Sequence, residues 1–403
     1  MPAEVVLGVS GGIAAYKACE LLRLFTESGH RVRVVPTAAA LRFVGAPTWA
    51  ALSGQPVATD VFDDAHEVPH VRLGQRADLV VVAPATADLL AKAAHGRADD
   101  LLTSTLLTAR CPVLYAPAMH TEMWEHPATV DNVATLRRRG VVVLEPASGR
   151  LTGVDTGKGR LPEPDEIFAV ACRVLARGGV RADLTGRHVV VTAGGTREPI
   201  DPVRYLGNRS SGKQGYAFAR AAVARGARVT LIAANVTLPD PAGVDLVRVG
   251  STEELRQAVR KAAGDADAVV MAAAPADFRP AHYASEKIKK AGGSPPPALE
   301  LATNPDIAAE LGAQKPPGQV LVAFAAETAA EPVALDNARD KLHRKRADLI
   351  VVNEVGVDRT FGSDRNAAVV LAADGAAVRL GEQPKEQLAD AVLDLVAARW
   401  VHR

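Results

Sequence analysis

The chain has 403 residues, enough for two domains of ordinary size. Apolar residues make up 48% of it and charged residues 23%, and 47 basic against 46 acidic side chains leave a net charge of +1. That composition is globular, and its balance argues against bulk nucleic-acid binding, which needs a clear Lys/Arg excess to neutralise many phosphates.

The opening MPAEVVLGVS runs straight into a strand-like segment, without the basic and apolar regions of a signal peptide. No uninterrupted apolar run is long enough to span a bilayer, so no membrane partner is expected. Cys19, Cys111 and Cys172 are odd in number, widely spaced and not in a CxxC pair. Free thiols in a reducing compartment explain them best, which points to the cytoplasm.

In chain order, short Val-rich strands alternate with Ala/Leu/Arg-rich helical runs, the pattern of an α/β protein with parallel sheets. The pattern starts twice. Val5–Gly12 (VVLGVSGG) is echoed by Val189–Thr196 (VVVTAGGT). Arg31–Val35 (RVRVV) is echoed by Arg228–Ile232 (RVTLI), and Ala77–Asp88 (ADLVVVAPATAD) by Ala266–Asp277 (ADAVVMAAAPAD). A boundary is expected near Gly178–Gly186, after the helical run Glu166–Arg177, giving domains at 1–180 and 187–403. Residues 149–160 (GRLTGVDTGKGR) and 291–297 (AGGSPPP) read as mobile segments, since Gly and Pro break regular elements.

In the first half, Gly8-Val-Ser-Gly-Gly-Ile13 stands where a strand should give way to a helix. Small residues admit a ligand close to the backbone, and a helix N-terminus attracts phosphate. The spacing is not GxGxxG, and the second strand ends at Thr37 where a dinucleotide site wants a carboxylate. Ser10 and Thr37 suit a terminal phosphate, which favours a mononucleotide such as FMN over NAD; a tight turn without ligand is the plain alternative. Pro84–Asp88, Pro117–Trp124 and His70 stand where further strands should end, the ligand edge of a parallel sheet. A lone histidine is more often structural than catalytic.

VSGGIAAYK, the His70 segment, PATADL and PAMHTEMW occur together in the order and spacing of the flavin-dependent cysteine decarboxylases. Residues 1–180 resemble the phosphopantothenoylcysteine decarboxylases among them. The resemblance implies a flavodoxin-like N-terminal domain with FMN bound at Ser10, Gly11, Gly12, Thr37, Thr86 and Met119. It implies His70 as the base, Met119–Trp124 as a substrate clamp and the Gly-rich segment as a flap. The substrate would be 4'-phosphopantothenoylcysteine. Oxidising the carbon that bears the thiol to a thioaldehyde provides an acceptor for the electrons left by CO₂. Two positions depart from the family pattern. His120 replaces the clamp Asn, and Gly153 falls where the family carries the flap Cys that protonates the enethiol. His120 is therefore expected to supply that proton. A flavin-binding regulatory module without turnover is the alternative for this half.

In the second half, Gly207-Asn-Arg-Ser-Ser-Gly-Lys213 approaches a Walker A loop but fails at Gln214, where Mg²⁺ needs a hydroxyl. A phosphate-handling loop remains plausible, because backbone N–H groups, hydroxyls and a helix start coincide there. Lys287, Lys289 and Lys290, with Lys341 and Lys345 four apart, suit a polyphosphate, although lysine clusters are usually solvated surface. Asp277 ends a strand, where it suits a ribose hydroxyl or Mg²⁺, and Phe324 suits a base or the core.

TAGGTREPIDPVRYLGNRSSGKQG, AAAPADF, EKIKK, NPDI and FAAET give this half a resemblance to the phosphopantothenate–cysteine ligases. It implies a Rossmann-like α/β ligase domain. It also implies that CTP is bound by Asp277, Lys287, Pro305, Asp306, Ile307, Ala308, Phe324, Lys341 and Lys345. Arg204, Asn208 and Ala274 would serve an acyl-cytidylate made from 4'-phosphopantothenate and captured by cysteine. Mg²⁺ would assist the nucleotide; its ligands are not identifiable from sequence. The two halves together imply both activities in coenzyme A biosynthesis. The resemblance further implies a homo-oligomer, with trimeric flavin domains and dimeric ligase domains closing as a dodecamer.

Overall fold

The computed structural model describes residues 2–57, 68–151, 155–179, 182–289, 298–327, 331–354 and 363–401. The chain divides into two compact units, Met1–Ala182 with Pro241–Gly243, and Asp183–Asp240 with Val244–Arg403.

The first unit is built on five strands, β1 (Glu4–Val9), β2 (Arg31–Pro36), β3 (Leu79–Ala85), β4 (Val113–Pro117) and β5 (Val142–Val143), all parallel in the order β2-β1-β3-β4-β5. Every residue of β3 is buried. Such continuous apolar runs are what a parallel sheet covered on both faces requires. The crossovers are α1 (Lys17–Glu27), α2 (Ala46–Ser53), α3 (Pro69–Arg76), α4 (Ala87–His95), α5 (Leu101–Thr108), α6 (Thr121–Trp124) and α7 (Pro127–Arg138). Their starts follow local chemistry. Thr86 Oγ1 accepts the Leu89 N–H to cap α4, and Asp100 with Thr103 forms a capping box on α5. A hairpin, β6 (Ala147–Arg150) with β7 (Thr156–Arg160), and α8 (Pro164–Arg177) complete the unit. The Gly-rich run expected to be mobile is thus, at its described ends, a paired antiparallel ladder. Residues 291–297 lie outside the described residues.

The second unit carries β8 (His188–Gly194), β11 (Arg228–Ala234), β12 (Val244–Val249), β13 (Ala268–Met271), β16 (Val320–Glu327), β17 (Leu349–Glu354), β18 (Arg365–Ala372) and β19 (Ala377–Pro384) in one sheet. Its order is β12-β11-β8-β13-β16-β17-β18-β19, parallel as far as β17 and antiparallel beyond. The six parallel strands have the Rossmann order. Two small hairpins, β9 (Arg197–Pro199) with β10 (Tyr205–Gly207) and β14 (Phe278–Pro280) with β15 (Leu301–Thr303), stand on this sheet's connections. The helices are α9 (Lys213–Ala224), α10 (Thr252–Ala263), α11 (Ile307–Gln314), α12 (Glu331–Arg344) and α13 (Lys385–Val401). At Gly215 in α9 a Cβ would lie 2.6 Å from the Thr192 carbonyl oxygen and from Ala193 Cβ, so glycine lets this helix sit directly on β8.

Both halves therefore have the expected α/β architectures, flavodoxin-like and then Rossmann-like. Among the described residues no helix is long and apolar enough to cross a membrane.

Candidate functional sites

In each sheet the strand order reverses at one place, between β1 and β3 and between β8 and β13. Ligands of open parallel sheets bind beyond the carboxyl ends of the strands at that reversal.

In the first unit, Ser10, Thr86, Thr37 and Met119 follow the carboxyl ends of β1, β3, β2 and β4. Ser10 is 2% exposed and straps the switch point. Its hydroxyl donates to the Pro84 carbonyl oxygen (2.7 Å) and accepts from the Thr86 N–H (3.0 Å). The Ser10 proton is thereby spent inside the fold. Thr37 and Thr86 differ, because each hydroxyl accepts one backbone N–H, from Ala40 (3.2 Å) and Leu89 (3.3 Å), and keeps its own proton to donate. A Cβ on Gly11 would lie 2.4 Å from Ala39 Cβ, whereas one on Gly12 would meet only Thr86 Cγ2, at 3.9 Å. Gly12 therefore leaves open space beside the threonine. A cradle with outward hydroxyl donors and exposed backbone fits a phosphate-bearing cofactor.

His70 lies in the first turn of α3, which begins at Pro69. Its backbone carbonyl accepts from Thr108 Oγ1 (2.7 Å), while its buried ring Nδ1 has no hydrogen-bond partner among the described residues. Buried polar atoms are normally paired, so an orphan of this kind calls for a functional explanation. His120 precedes α6 with its side chain 45% exposed, Nδ1 4.0 Å from Glu122 Oε2. Gly153 lies outside the described residues.

The flap docks on the clamp through glycines. The Met119 N–H donates to the Gly159 carbonyl oxygen (2.9 Å). A Cβ on Gly159 would lie 2.2 Å from the Met119 carbonyl oxygen, and one on Gly157 2.2 Å from Thr121 Oγ1. Lys158, between them, pairs with Glu145 (2.6 Å), which also binds Arg137 (2.7 Å). Burial pushes the Glu145 carboxyl up, but Arg137 and Lys158 outweigh it and hold it below the ordinary range. The stabilising anion is therefore present above the ordinary carboxylate range and is lost only as pH falls through the depressed folded value, so this anchor is intact at neutral pH. Gly159→Ala is expected to cost about 1–3 kcal/mol through overpacking. Its signature is increased proteolysis at the flap with an unchanged second unit; native-like flap protection would refute the close approach.

In the second unit, a cavity of about 550 Å³ opens at the switch point. Asn208, Ala274, Asp277, Pro305, Asp306, Ile307, Ala308, Phe324, Lys341 and Lys345 all line it. Glycine again permits the geometry. Gly194 has φ +86°, and a Cβ there would lie 2.0 Å from the Ala234 carbonyl oxygen. A Cβ on Gly195 would lie 2.6 Å from the Asn208 carbonyl oxygen. Asn208 Nδ2 then donates across to the Pro275 carbonyl oxygen (2.9 Å), and the Ala274 N–H donates to the Gly194 carbonyl oxygen (2.8 Å). Asp306 caps α11 through the Ala309 N–H (3.1 Å) and binds Lys345 Nζ at 2.6 and 2.7 Å. Burial raises the Asp306 carboxyl, yet Lys345 and the capping N–H carry it below its ordinary range. Phe324 packs edge-on against Phe218 (5.8 Å) and still reaches the cavity.

Arg204 and Lys287 are not among the lining residues; they belong to a neighbouring clasp. The Arg204 guanidinium donates to the Ile288 carbonyl oxygen (2.7 Å), and the Asp201 carboxylate accepts the Ile288 N–H (3.1 Å). The cavity also uses Ser210, Ser211, Lys213 and Gln214 of the expected phosphate-handling loop, together with Arg344, Asn353, Asn366 and Lys385, which were not singled out from sequence. Asn353 carried a readable signal, a polar residue ending an apolar strand, as Asp277 does. Asn366 and Lys385 had none, because only the antiparallel pair β18 and β19 brings them to the site, one at the start of β18 and the other just after β19. Among the described residues no three His, Cys, Asp or Glu side chains gather as a metal site. Cys19, Cys111 and Cys172 form no disulfide among the described residues.

The family model described as Flavoprotein matches residues 2–176, and that described as the DNA/pantothenate metabolism flavoprotein C-terminal domain matches residues 184–399. The chain is 61% identical over 403 residues to the coenzyme A biosynthesis bifunctional protein CoaBC of Mycolicibacterium smegmatis, covering 98% of this chain and 97% of that protein. It is 43% identical over 399 residues to CoaBC of Bacillus subtilis, covering 98% and 97%. A crystal structure of the C-terminal domain of a CoaBC protein is 33% identical, with a TM-score of 0.47, covering 55% of this chain and all of that one, 100%.

Proposed function

Because this chain belongs to the family of coenzyme A biosynthesis bifunctional proteins, with a decarboxylase half and a ligase half, we propose a specific chemistry for each of its two sites. The ligase half joins 4'-phosphopantothenate to cysteine through an acyl-cytidylate. The decarboxylase half converts 4'-phosphopantothenoylcysteine to 4'-phosphopantetheine with FMN. The observation that supports the reading is the ligase cavity at the second unit's switch point, lined by Asn208, Ala274, Asp277, Phe324, Lys341 and Lys345.

In the ligase half, a carboxylate must first be made a good acyl donor. Its oxygen attacks the nucleotide α-phosphate and pyrophosphate leaves. Lys341 and Lys345, with Lys287 from the adjoining clasp, offset the developing charge. Asp277 is exposed at the cavity and is the carboxylate we assign to ribose or Mg²⁺. Mg²⁺ is usually held by one or two carboxylates together with substrate phosphates, so a single Asp suits an ion that arrives with the nucleotide. The segment Pro305–Ala308 and Phe324 hold the base and sugar. Asn208, Ala274 and Arg204 orient the activated acyl group for attack by the cysteine amine.

In the decarboxylase half, FMN when bound supplies a hydride acceptor and donor. Thr37 and Thr86, with Gly11, Gly12 and the strap at Ser10, hold its phosphate end, and Met119 lies at the substrate side. His70 takes the thiol proton through the ring nitrogen that has no hydrogen-bond partner among the described residues. His120, exposed beside Glu122, returns a proton to the enethiol in place of a flap cysteine. A cytoplasmic location and a dodecamer of trimeric and dimeric contacts complete the reading.

The test is product mass after supplying 4'-phosphopantothenate, cysteine and nucleotide to the whole chain. CTP is expected to give 4'-phosphopantetheine, with ATP distinctly slower. Equal or faster turnover with ATP would refute the CTP assignment.

A further inference from the structure

Asn353 lies near the carboxyl end of β17 and lines the ligase cavity. Which end of its amide faces the cavity is fixed by three hydrogen bonds that begin at a group unable to flip. The backbone carbonyl of Lys385 accepts from Gln214 Nε2 (3.3 Å). Gln214 Oε1 is therefore the end left to accept, and it takes Asn366 Nδ2 (3.4 Å). The second hydrogen of the same Nδ2 goes to Asn353 Oδ1 (3.1 Å). Each amide's polarity dictates the next, so the oxygen of Asn353 is engaged and its Nδ2 is left as the donor for the cavity.

Asn366 does this from inside the protein, at 4% exposure, and its own buried Oδ1 has no hydrogen-bond partner among the described residues. A side chain selected only to be satisfied would not be left half-matched. The same cavity is lined by Ser210 and Ser211, by Gly212 at the start of α9, and by Lys213 and Lys385, whose ammonium groups are held by Asp364 (2.6 Å) and by the Ser363 carbonyl oxygen. Hydroxyl-bearing residues, a helix start and lysines lining one cavity are the chemistry of a phosphate site.

We propose that Asn366 is a positioning residue that holds Asn353 Nδ2 as a hydrogen-bond donor to a phosphate oxygen of a ligase substrate. The inference rests on the ligase reading above. The phosphate is either the triphosphate of the nucleotide or the phosphomonoester of 4'-phosphopantothenate.

Calorimetric titration of the full chain separates these sources, with CTP plus Mg²⁺ in one arm and 4'-phosphopantothenate in the other. Pantothenate, which lacks the phosphate, is the control. Asn366→Leu keeps the branched side-chain skeleton and removes the donor, leaving Asn353 free to turn. It is expected to weaken one of the two phosphate ligands about tenfold, the scale of a hydrogen bond to a charged group, and to leave pantothenate unchanged. The arm that loses affinity identifies the phosphate. Asn353→Ala should lose as much, and adding Asn366→Leu to it should lose nothing more. A merely structural Asn366 would instead give losses that add. Unchanged binding of both phosphate ligands by Asn366→Leu, or additive losses, would overturn the proposal. If Asn366→Leu does not fold, Gln214→Leu cuts the relay at its anchor and should weaken the same ligand, without adding to Asn353→Ala. Unchanged binding there overturns it equally. A parent protein that binds neither phosphate ligand would overturn the ligase reading, and this inference with it.

Discussion

Replacing His70 with Asn is expected to lower CO₂ release by about 10²–10⁴-fold, the usual contribution of a positioned general base. The fold around it should survive, because the first turn of α3 is held by groups that the substitution leaves alone. Thr108 Oγ1 bonds the His70 backbone carbonyl, and α3 is packed so closely on α5 that a Cβ on Gly74 would lie 2.3 Å from Thr108 Oγ1. The cofactor should also remain, since its proposed phosphate contacts come from the ends of β1, β2 and β3 and not from α3. The measurements are CO₂ release from 4'-phosphopantothenoylcysteine, the visible flavin spectrum, and ligation in the same preparation. Loss of CO₂ release with flavin and ligation intact is the expected result. Release within tenfold of the parent would show that the unpaired Nδ1 is not the base and that the thiol proton leaves by another route.

The strands that flank the two switch points were legible in the sequence, but their order was not. The three paired echoes in the sequence, VVLGVSGG with VVVTAGGT, RVRVV with RVTLI, and the two AD-initiated runs, are β1, β2 and β3 in one unit and β8, β11 and β13 in the other. In each sheet the three are neighbours, β2-β1-β3 and β11-β8-β13. The repeat in the sequence is therefore the local grammar of a reversal of strand order. Thr37 and Asp277, just past strand ends, could be named because strands carry their own apolar signature, whereas Thr86, Met119 and Ala274 were named through the family resemblance.

What sequence did not yield was the state of each group. Ser10 reads as a phosphate donor, yet its proton is committed to Pro84. Lys345 reads as a cation for the nucleotide, yet it stands between 2.6 and 2.7 Å from both oxygens of Asp306, so its charge must be shared when a ligand arrives. Gly157 and Gly159 read as flexibility, and their place is to let two backbones approach more closely than a Cβ allows. Asn366 and Gln214 were invisible as a unit, because 152 positions of chain separate them and a β18 that returns antiparallel brings them together. Such polar pairings depend on tertiary register, which carries no periodic signal.

The largest effect expected in the second unit is at Asn208. Its Nδ2 has two hydrogens, and one is held by the Pro275 carbonyl oxygen at 2.9 Å. That bond joins the loop after β10 to the loop after β13 and fixes the amide of a side chain that lines the switch-point cavity together with Ala274. A donor fixed there suits the oxygen of a mixed anhydride as negative charge builds on it during attack by the cysteine amine. Removing one such preorganised donor typically costs about 10²–10³-fold in rate. Asn208→Ala is therefore expected to slow formation of 4'-phosphopantothenoylcysteine by that factor. Pyrophosphate release from CTP and 4'-phosphopantothenate should persist for at least one turnover, so that the acyl-cytidylate accumulates and can be detected by mass. The substitution itself should cost only about 0.5–1.5 kcal/mol of stability, as for one partly exposed hydrogen bond. Thermal unfolding can thus separate a damaged fold from a damaged step. Loss of pyrophosphate release together with product would place Asn208 at activation of the carboxylate, one step earlier, where its contact would be with the nucleotide and not with the anhydride.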